Sequence, residues 1–110
     1  MTHTEYSAYA QALDTAARTA TPIAQLSAAE PDLDRARALE IQRLLMEERY
    51  KRGERRIGLK LGLTSVAKMR QVGVSEVIWG RRTDAMLFHD AAELAFEAYI
   101  HPRAEPEIAF

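Results

Sequence analysis

The chain has 110 residues, 47% of them hydrophobic, and its 15 basic and 16 acidic side chains give a formal net charge of −1. This balance argues against nucleic acid or an anionic membrane as a partner, and a chain without cysteine has neither disulfides nor a thiolate metal site. No apolar run reaches membrane-spanning length, and the first residues lack the pattern of a secretion signal. We therefore expect one small soluble domain, or part of a larger one, in the cytoplasm.

The first half of the chain shows the three-and-four apolar spacing of amphipathic helices. This spacing predicts a helix between Tyr6 and Ala17, followed by a break at residues 19–22. A second helix is expected from residue 32 or 34 to about residue 52, with Gly53 as its C-terminal stop. The basic residues near its end are interpreted as a solvated helix terminus.

Beyond Gly53 the apolar period shortens to two, as in strands. Aliphatic residues alternate with Gly and Lys over residues 57–62, which predicts a strand with one apolar face. A short helix at 64–73, a brief strand at 77–79 and a further strand over 94–100 are expected to follow. The predicted fold class is α+β, with an N-terminal helical region at 1–53 and a β-rich region at 54–110.

Two acidic residues near the C-terminus, Glu105 and Glu107, are separated only by Pro106. In an extended segment alternate side chains share a face, so their Cα atoms would lie roughly 6–7 Å apart and both carboxylates would reach one cation. Carboxylates suit Mg²⁺ or Mn²⁺. The alternative is an exposed acidic edge strand in which proline discourages pairing. His101 is either a further ligand or a turn residue, and residues 107–110 are expected to begin a buried strand.

Lys60 is the second candidate for chemistry, because its neighbours on the same strand face are Gly58 and Gly62. A lysine with open space around it can bind a substrate carboxylate or, if desolvated, take part in proton transfer. The alternative is a solvated lysine beside glycines that permit a bend or a close backbone approach.

Three segments together resemble the 2-keto-4-pentenoate hydratase and 4-oxalocrotonate decarboxylase group of the fumarylacetoacetate hydrolase superfamily. They are Gly58–Ser65, Gly80 with Thr83–Met86, and His101–Phe110. The resemblance covers the chain from about Leu33 onward and corresponds to the N-terminal portion of that family. It implies the start of a mixed β-roll, left incomplete because family members are about twice this length or more.

The resemblance also implies a divalent-metal enzyme of the meta-cleavage degradation of aromatic compounds. Glu105 and Glu107 match two metal ligands of the family, for Mg²⁺ or Mn²⁺, and Lys60 matches a lysine near the substrate, a small 2-oxo acid. A third acidic ligand is expected downstream of Phe110. The implied assembly is a homo-oligomer or an association with a related hydratase or decarboxylase subunit.

Within the group, the residue two places before Gly80 helps to separate the activities. Hydratases tend to carry an acid there, whereas this chain has Ile78, and the Thr83–Met86 stretch also looks more like a decarboxylase. We therefore expect metal-dependent decarboxylation of 2-oxo-3-hexenedioate (4-oxalocrotonate) to 2-hydroxypenta-2,4-dienoate, and we expect this length of chain to be inactive alone. The alternatives are a 2-hydroxypenta-2,4-dienoate hydratase and a non-catalytic truncated remnant or docking module.

Overall fold

The structure, a computed structural model, describes residues 1–110 as helices followed by a small antiparallel sheet. No helix is long and apolar enough to cross a membrane. The elements in chain order are α1 (His3–Arg18), α2 (Leu26–Ala29), α3 (Arg35–Lys51), β1 (Arg56–Gly62), α4 (Val66–Val72), β2 (Ile78–Thr83) and two 3₁₀ turns, Asp84–Met86 and Phe96–Ala98. The predicted mixture of helices and strands is thus present.

The core lies between α1 and α3, where Ala10 packs against Ile41 and Leu44. Each helix begins at a side-chain cap: Thr2 and Glu5 form a capping box at α1, and Asp34 accepts a hydrogen bond from a backbone N–H in the first turn of α3. Burial of these apolar side chains, more than helix propensity, stabilises such a helix pair.

An ion pair also joins the two long helices. Asp14 is 3% exposed, and the Arg52 guanidinium donates to its two carboxylate oxygens at 2.6 and 2.8 Å. Arg18, one turn further along α1, donates to the same carboxylate at 3.1 Å. These contacts, those from Arg52 foremost, hold the pKa of Asp14 below its usual value. The interpretation of the basic residues around Arg52 as a solvated helix terminus is therefore wrong for this residue.

The sheet is a two-stranded antiparallel pair, and α3 covers the edge of β2 that faces away from β1. The Gln42 side chain on α3 donates to the Trp79 carbonyl at 3.3 Å and accepts from the Arg81 backbone N–H at 3.3 Å. Its carbonyl also accepts from the Arg81 guanidinium at 3.0 Å. Because these β2 groups face away from β1, Gln42 satisfies them in place of a third strand.

A second contact holds the end of β2 against the end of α3. Thr83, fully buried, donates from its hydroxyl to the Glu54 carboxylate at 2.6 Å, and Arg49 donates to the same oxygen at 2.8 Å. Gly53, in the connection between α3 and β1, has a φ of +98°, a left-handed conformation that glycine adopts without strain. The predicted helix stop at Gly53 is confirmed.

The predicted strand over residues 94–100 is not formed. The segment contains only the 3₁₀ turn Phe96–Ala98, and residues 107–110, expected to begin a buried strand, lie outside any helix or strand. A strand requires a neighbour with free N–H and C=O groups. Gln42 occupies the edge of β2 that faces away from β1, and neither segment pairs with β1. Ile108 and Phe110 are consequently among the most exposed apolar side chains.

Candidate functional site

The structure brings together the three residues that the sequence singled out. The ammonium of Lys60 lies 3.3 Å from Glu107 Oε1 and 3.9 Å from Glu105 Oε2. Each of the three side chains is partly open to solvent, with exposed fractions of 44% for Lys60, 68% for Glu105 and 46% for Glu107. Both carboxylates therefore face a single cationic group, although they follow Lys60 by a long stretch of chain.

Lys60 owes its position to the middle of β1. It pairs with Gly80 of β2, and the next pairs on the same face are Gly58 with Arg82 and Gly62 with Ile78. A Cβ added at Gly58 or Gly80 would meet no atom within 4 Å. The open space predicted around the lysine is therefore present, as a shallow groove of about 270 Å³.

The groove is closed at one end. A Cβ at Gly62 would lie 3.0 Å from Ile78 Cγ1, which is closer than side-chain atoms normally approach. Ile78 thus forms an apolar boundary on the face of the sheet that carries Lys60. The groove is lined by Lys60, Gly62, Ile78, Trp79, Gly80 and Arg82.

Glu105 and Glu107 reach this groove from the C-terminal segment without any ladder hydrogen bonds. Residues 102–110 contain no helix or strand, so the edge strand considered for the pair is not formed. Pro106 has no N–H to donate, which disfavours pairing of this stretch with β1 or β2. The side-chain contacts to Lys60 are what join the pair to the sheet.

The carboxylate pair fits part of a divalent-metal site. Two carboxylates that converge on one ammonium are placed to share one cation, and carboxylate oxygens with water are the ligands that Mg²⁺ prefers. The chain holds no group of three His, Asp or Glu side chains around a common point. His101 lies in an exposed bend, consistent with the turn alternative. The donor set therefore suits a cation held by two carboxylates and completed by water or further ligands.

Arg82 is a residue of this groove that the sequence interpretation missed. It lies on the Lys60 face opposite Gly58, and its guanidinium contacts no carboxylate, only the Met86 sulfur at 3.7 Å. The alternation of side chains along β2 could have identified it, because residues 78, 80 and 82 of a strand share one face. Arg81, one residue earlier, lies over the Trp79 ring at 4.9 Å and bonds Gln42 instead.

Relatives are found by sequence, although no protein-family model matches the chain. A 4-oxalocrotonate decarboxylase from a Pseudomonas species is 48% identical over 101 residues, which are 92% of this chain and 39% of that protein. A 2-keto-4-pentenoate hydratase from Paraburkholderia xenovorans is 38% identical over 101 residues, again 92% of this chain and 38% of the relative. The chain therefore spans about two fifths of the length of these relatives.

The fold comparison agrees with the sequence comparison. The 4-oxalocrotonate decarboxylase from Pseudomonas putida G7, solved with calcium and acetate, superposes with a TM-score of 0.73 at 32% identity. The match covers 77% of this chain and 33% of that structure. The same protein has been solved with magnesium and adipate. The resemblance of the chain to part of the 4-oxalocrotonate decarboxylases and the 2-keto-4-pentenoate hydratases is thus confirmed by sequence and by fold.

Proposed function

We propose that this chain provides the carboxylate pair and the substrate lysine of a divalent-metal-dependent lyase. The reaction is decarboxylation of 2-oxo-3-hexenedioate to 2-hydroxypenta-2,4-dienoate. The observation that carries the proposal is the convergence of Glu105 and Glu107 on the ammonium of Lys60. Two comparisons support this choice of reaction. The relative with 48% identity is a decarboxylase, and a related decarboxylase has been solved with calcium and with magnesium.

In this proposal each residue has a distinct task. Glu105 and Glu107 hold the metal, for which Mg²⁺ is favoured and Mn²⁺ is a second candidate, and the bound cation supplies Lewis-acid polarisation of the 2-oxo group. Lys60 binds the adjacent carboxylate through its ammonium. Ile78 borders the groove with an apolar surface and limits the water around the reacting carbons.

The proton balance of the reaction gives Lys60 a second task. Breaking the bond to the C6 carboxyl releases CO₂ and leaves its electron pair in the conjugated chain, and the 2-oxygen takes up one proton to give the enol product. Lys60 is the ammonium that lies in the groove beside the carboxylate pair. We therefore assign it the role of proton donor, or of the residue that orients the donor.

The hydratase is the second candidate, since relatives with that name cover the same share of this chain. Addition of water to a C=C bond calls for positioned proton donors and acceptors, and Ile78 places a hydrocarbon where hydratases tend to carry an acid. A non-catalytic docking module is the third candidate. The exposure of the Glu105 side chain, 68%, is the observation that fits it.

The wider architecture is part of the same proposal. We infer a boundary near Gly53 between a helical region, 1–53, and the start of a mixed β-roll of the fumarylacetoacetate hydrolase type, 54–110. The apolar face of β1, with Leu59 and Leu61 about half exposed, supports burial against further structure. The proposed assembly partner is a second copy of the chain or a related hydratase or decarboxylase subunit, and the proposed location is the cytoplasm.

The assay follows two reactions on one preparation. Purified chain and Mg²⁺ are mixed with 2-oxo-3-hexenedioate, and CO₂ release is measured. Loss of dienol absorbance is measured separately with 2-hydroxypenta-2,4-dienoate. The decarboxylase proposal predicts that any CO₂ release disappears in Glu107→Gln, and dienol loss without CO₂ release supports the hydratase. If this length of chain is inactive alone, Mg²⁺ binding that is lost in Glu107→Gln still supports the metal half-site, whereas Mg²⁺ binding that is absent or unchanged in that variant supports the docking module.

A further inference from the structure

The open groove beside Lys60 contains a second cation that the proposed reaction has not used. Arg82 lies on the same sheet face, one residue pair further along from Lys60 and Gly80. It forms no ion pair, whereas Lys60 is engaged by both carboxylates. Within this groove Arg82 is thus the guanidinium available to an anion from outside the chain.

The spacing of the two cations suits a dicarboxylate. Diagonal neighbours on one face of an antiparallel pair have Cα atoms about 7–8 Å apart, and the long side chains of Lys60 and Arg82 allow their charges to approach further. The end carboxyl carbons of an extended six-carbon diacid lie roughly 6 Å apart, given C–C bonds of about 1.5 Å. A diacid with one end at Lys60 therefore reaches Arg82 with the other.

The opposite direction along the groove offers a different environment. From Lys60 toward Gly62 the next side chain on this face is that of Ile78, which is apolar. A monocarboxylate with a hydrocarbon tail is favoured in that direction, whereas a second carboxylate would lose hydration there without gaining a partner. The two ends of the groove thus prefer different ligands.

We propose that Arg82 is the specificity-determining residue that binds the distal carboxylate of a dicarboxylic substrate. The assignment rests on the proposed function, because Lys60 and the carboxylate pair are taken to hold the 2-oxo acid end. A guanidinium forms two parallel hydrogen bonds to a carboxylate, which fixes its orientation as well as its charge. Since Arg82 is solvent-exposed, we expect the gain in affinity to be modest, about fivefold.

The experiment compares adipate, a diacid, with pentanoate, a monoacid, by calorimetric titration of the full 110-residue chain. Arg82→Gln is expected to weaken adipate binding about fivefold and to leave pentanoate binding unchanged. Arg82→Lys keeps the charge but loses the paired hydrogen bonds, and its affinity for adipate is expected to lie between those of the wild type and Arg82→Gln. Arg70→Gln in α4 is the matched control, because it removes the same charge away from the groove.

Each titration is carried out once with EDTA and once with Mg²⁺. The Arg82 assignment is overturned if Arg82→Gln weakens adipate and pentanoate binding equally, or if it changes neither in either buffer. It is also overturned if Arg70→Gln weakens adipate binding as much as Arg82→Gln does. If the preference for the diacid depends on Arg82 but ligand binding does not change with Mg²⁺, the assignment of Arg82 stands and the proposed metal-dependent function is overturned. Circular dichroism of each variant establishes that it is folded.

Discussion

Lys60 and Glu107 are in direct ionic contact, with the lysine ammonium 3.3 Å from a carboxylate oxygen. The ammonium therefore lies where the carboxylate pair would hold a divalent cation. A cation that enters this position must displace the lysine, which costs its contacts with the carboxylates, or share the carboxylates with it, which brings like charges together. If the pair binds a metal as proposed, Lys60 and the metal compete for the same two carboxylates.

This competition predicts that Lys60→Met raises the affinity for Mg²⁺. We expect an increase of about threefold to tenfold, because the contacts are partly exposed and screened by solvent. Calorimetry at low ionic strength measures it, and the advantage of the variant should shrink as salt is added. Lys68→Met in α4, which removes an exposed ammonium away from the site, is the control. Unchanged or weaker Mg²⁺ binding in Lys60→Met contradicts the competition.

Replacing Asp14 should destabilise the helix pair. Asp14→Asn removes a buried charge that accepts from Arg52 and Arg18. We expect the free energy of unfolding to fall by about 1–2 kcal/mol. This is less than for a fully buried ion pair, because Arg52 can still reach water. Urea denaturation measures it, with Asp90→Asn in an exposed turn as the control. A loss no larger than that of the control would mean the ion pair contributes nothing.

The same carboxylate gives stability a pH dependence. The Arg52 contact, followed by those of Arg18, lowers the pKa of Asp14 in the folded chain below its unfolded value of about 3.9. The stabilisation is therefore present above the unfolded pKa and is lost as pH falls through the lower, folded pKa. Denaturation series between about pH 2 and pH 6 should show a steeper loss in the wild type than in Asp14→Asn. Parallel curves would contradict this assignment.

Gln42→Ala should loosen the sheet from α3. The substitution leaves the Trp79 carbonyl and the Arg81 backbone N–H of β2 without their partner, at a cost of about 1–2 kcal/mol. Hydrogen exchange of the Arg81 amide should accelerate by more than that of amides inside α1. Gln11→Ala, on the exposed face of α1, matches the change in helix propensity without touching β2. Equal protection of Arg81 in both variants would contradict the role of Gln42.

The apolar face of β1 should make the isolated chain associate. Leu59 and Leu61 are 49% and 52% exposed, side by side on one strand face. Leu61→Thr is therefore expected to reduce binding of the dye ANS and concentration-dependent association in sedimentation. Leu87→Thr, which removes a leucine that is 68% exposed outside the sheet, is the control. A wild-type chain that stays monomeric and binds no dye would contradict the expectation.

Local patterns allowed the helices, β1 and the helix stop at Gly53 to be predicted, because caps and apolar periods act over a few residues. The extra strand over 94–100 was wrong because alternation alone does not supply a partner: the segment pairs with neither β1 nor β2, and Gln42 occupies one edge of β2. The contact of Arg52 with Asp14 also depends on how two helices pack, which spacing along one helix does not reveal. Lys60 and the Glu105–Glu107 pair were identified from the sequence, whereas their mutual contact required the fold.

The central claim is that Glu105 and Glu107 bind one divalent cation together. Calorimetric titration of the chain with Mg²⁺ tests it most directly, with Glu105→Gln and Glu107→Gln as variants and Glu97→Gln as the control for loss of one exposed acid. We expect one Mg²⁺ site per chain, with affinity weakened at least about tenfold by either site variant and unchanged in the control. Mg²⁺ binding that is absent, or equally strong in all four proteins, would contradict it.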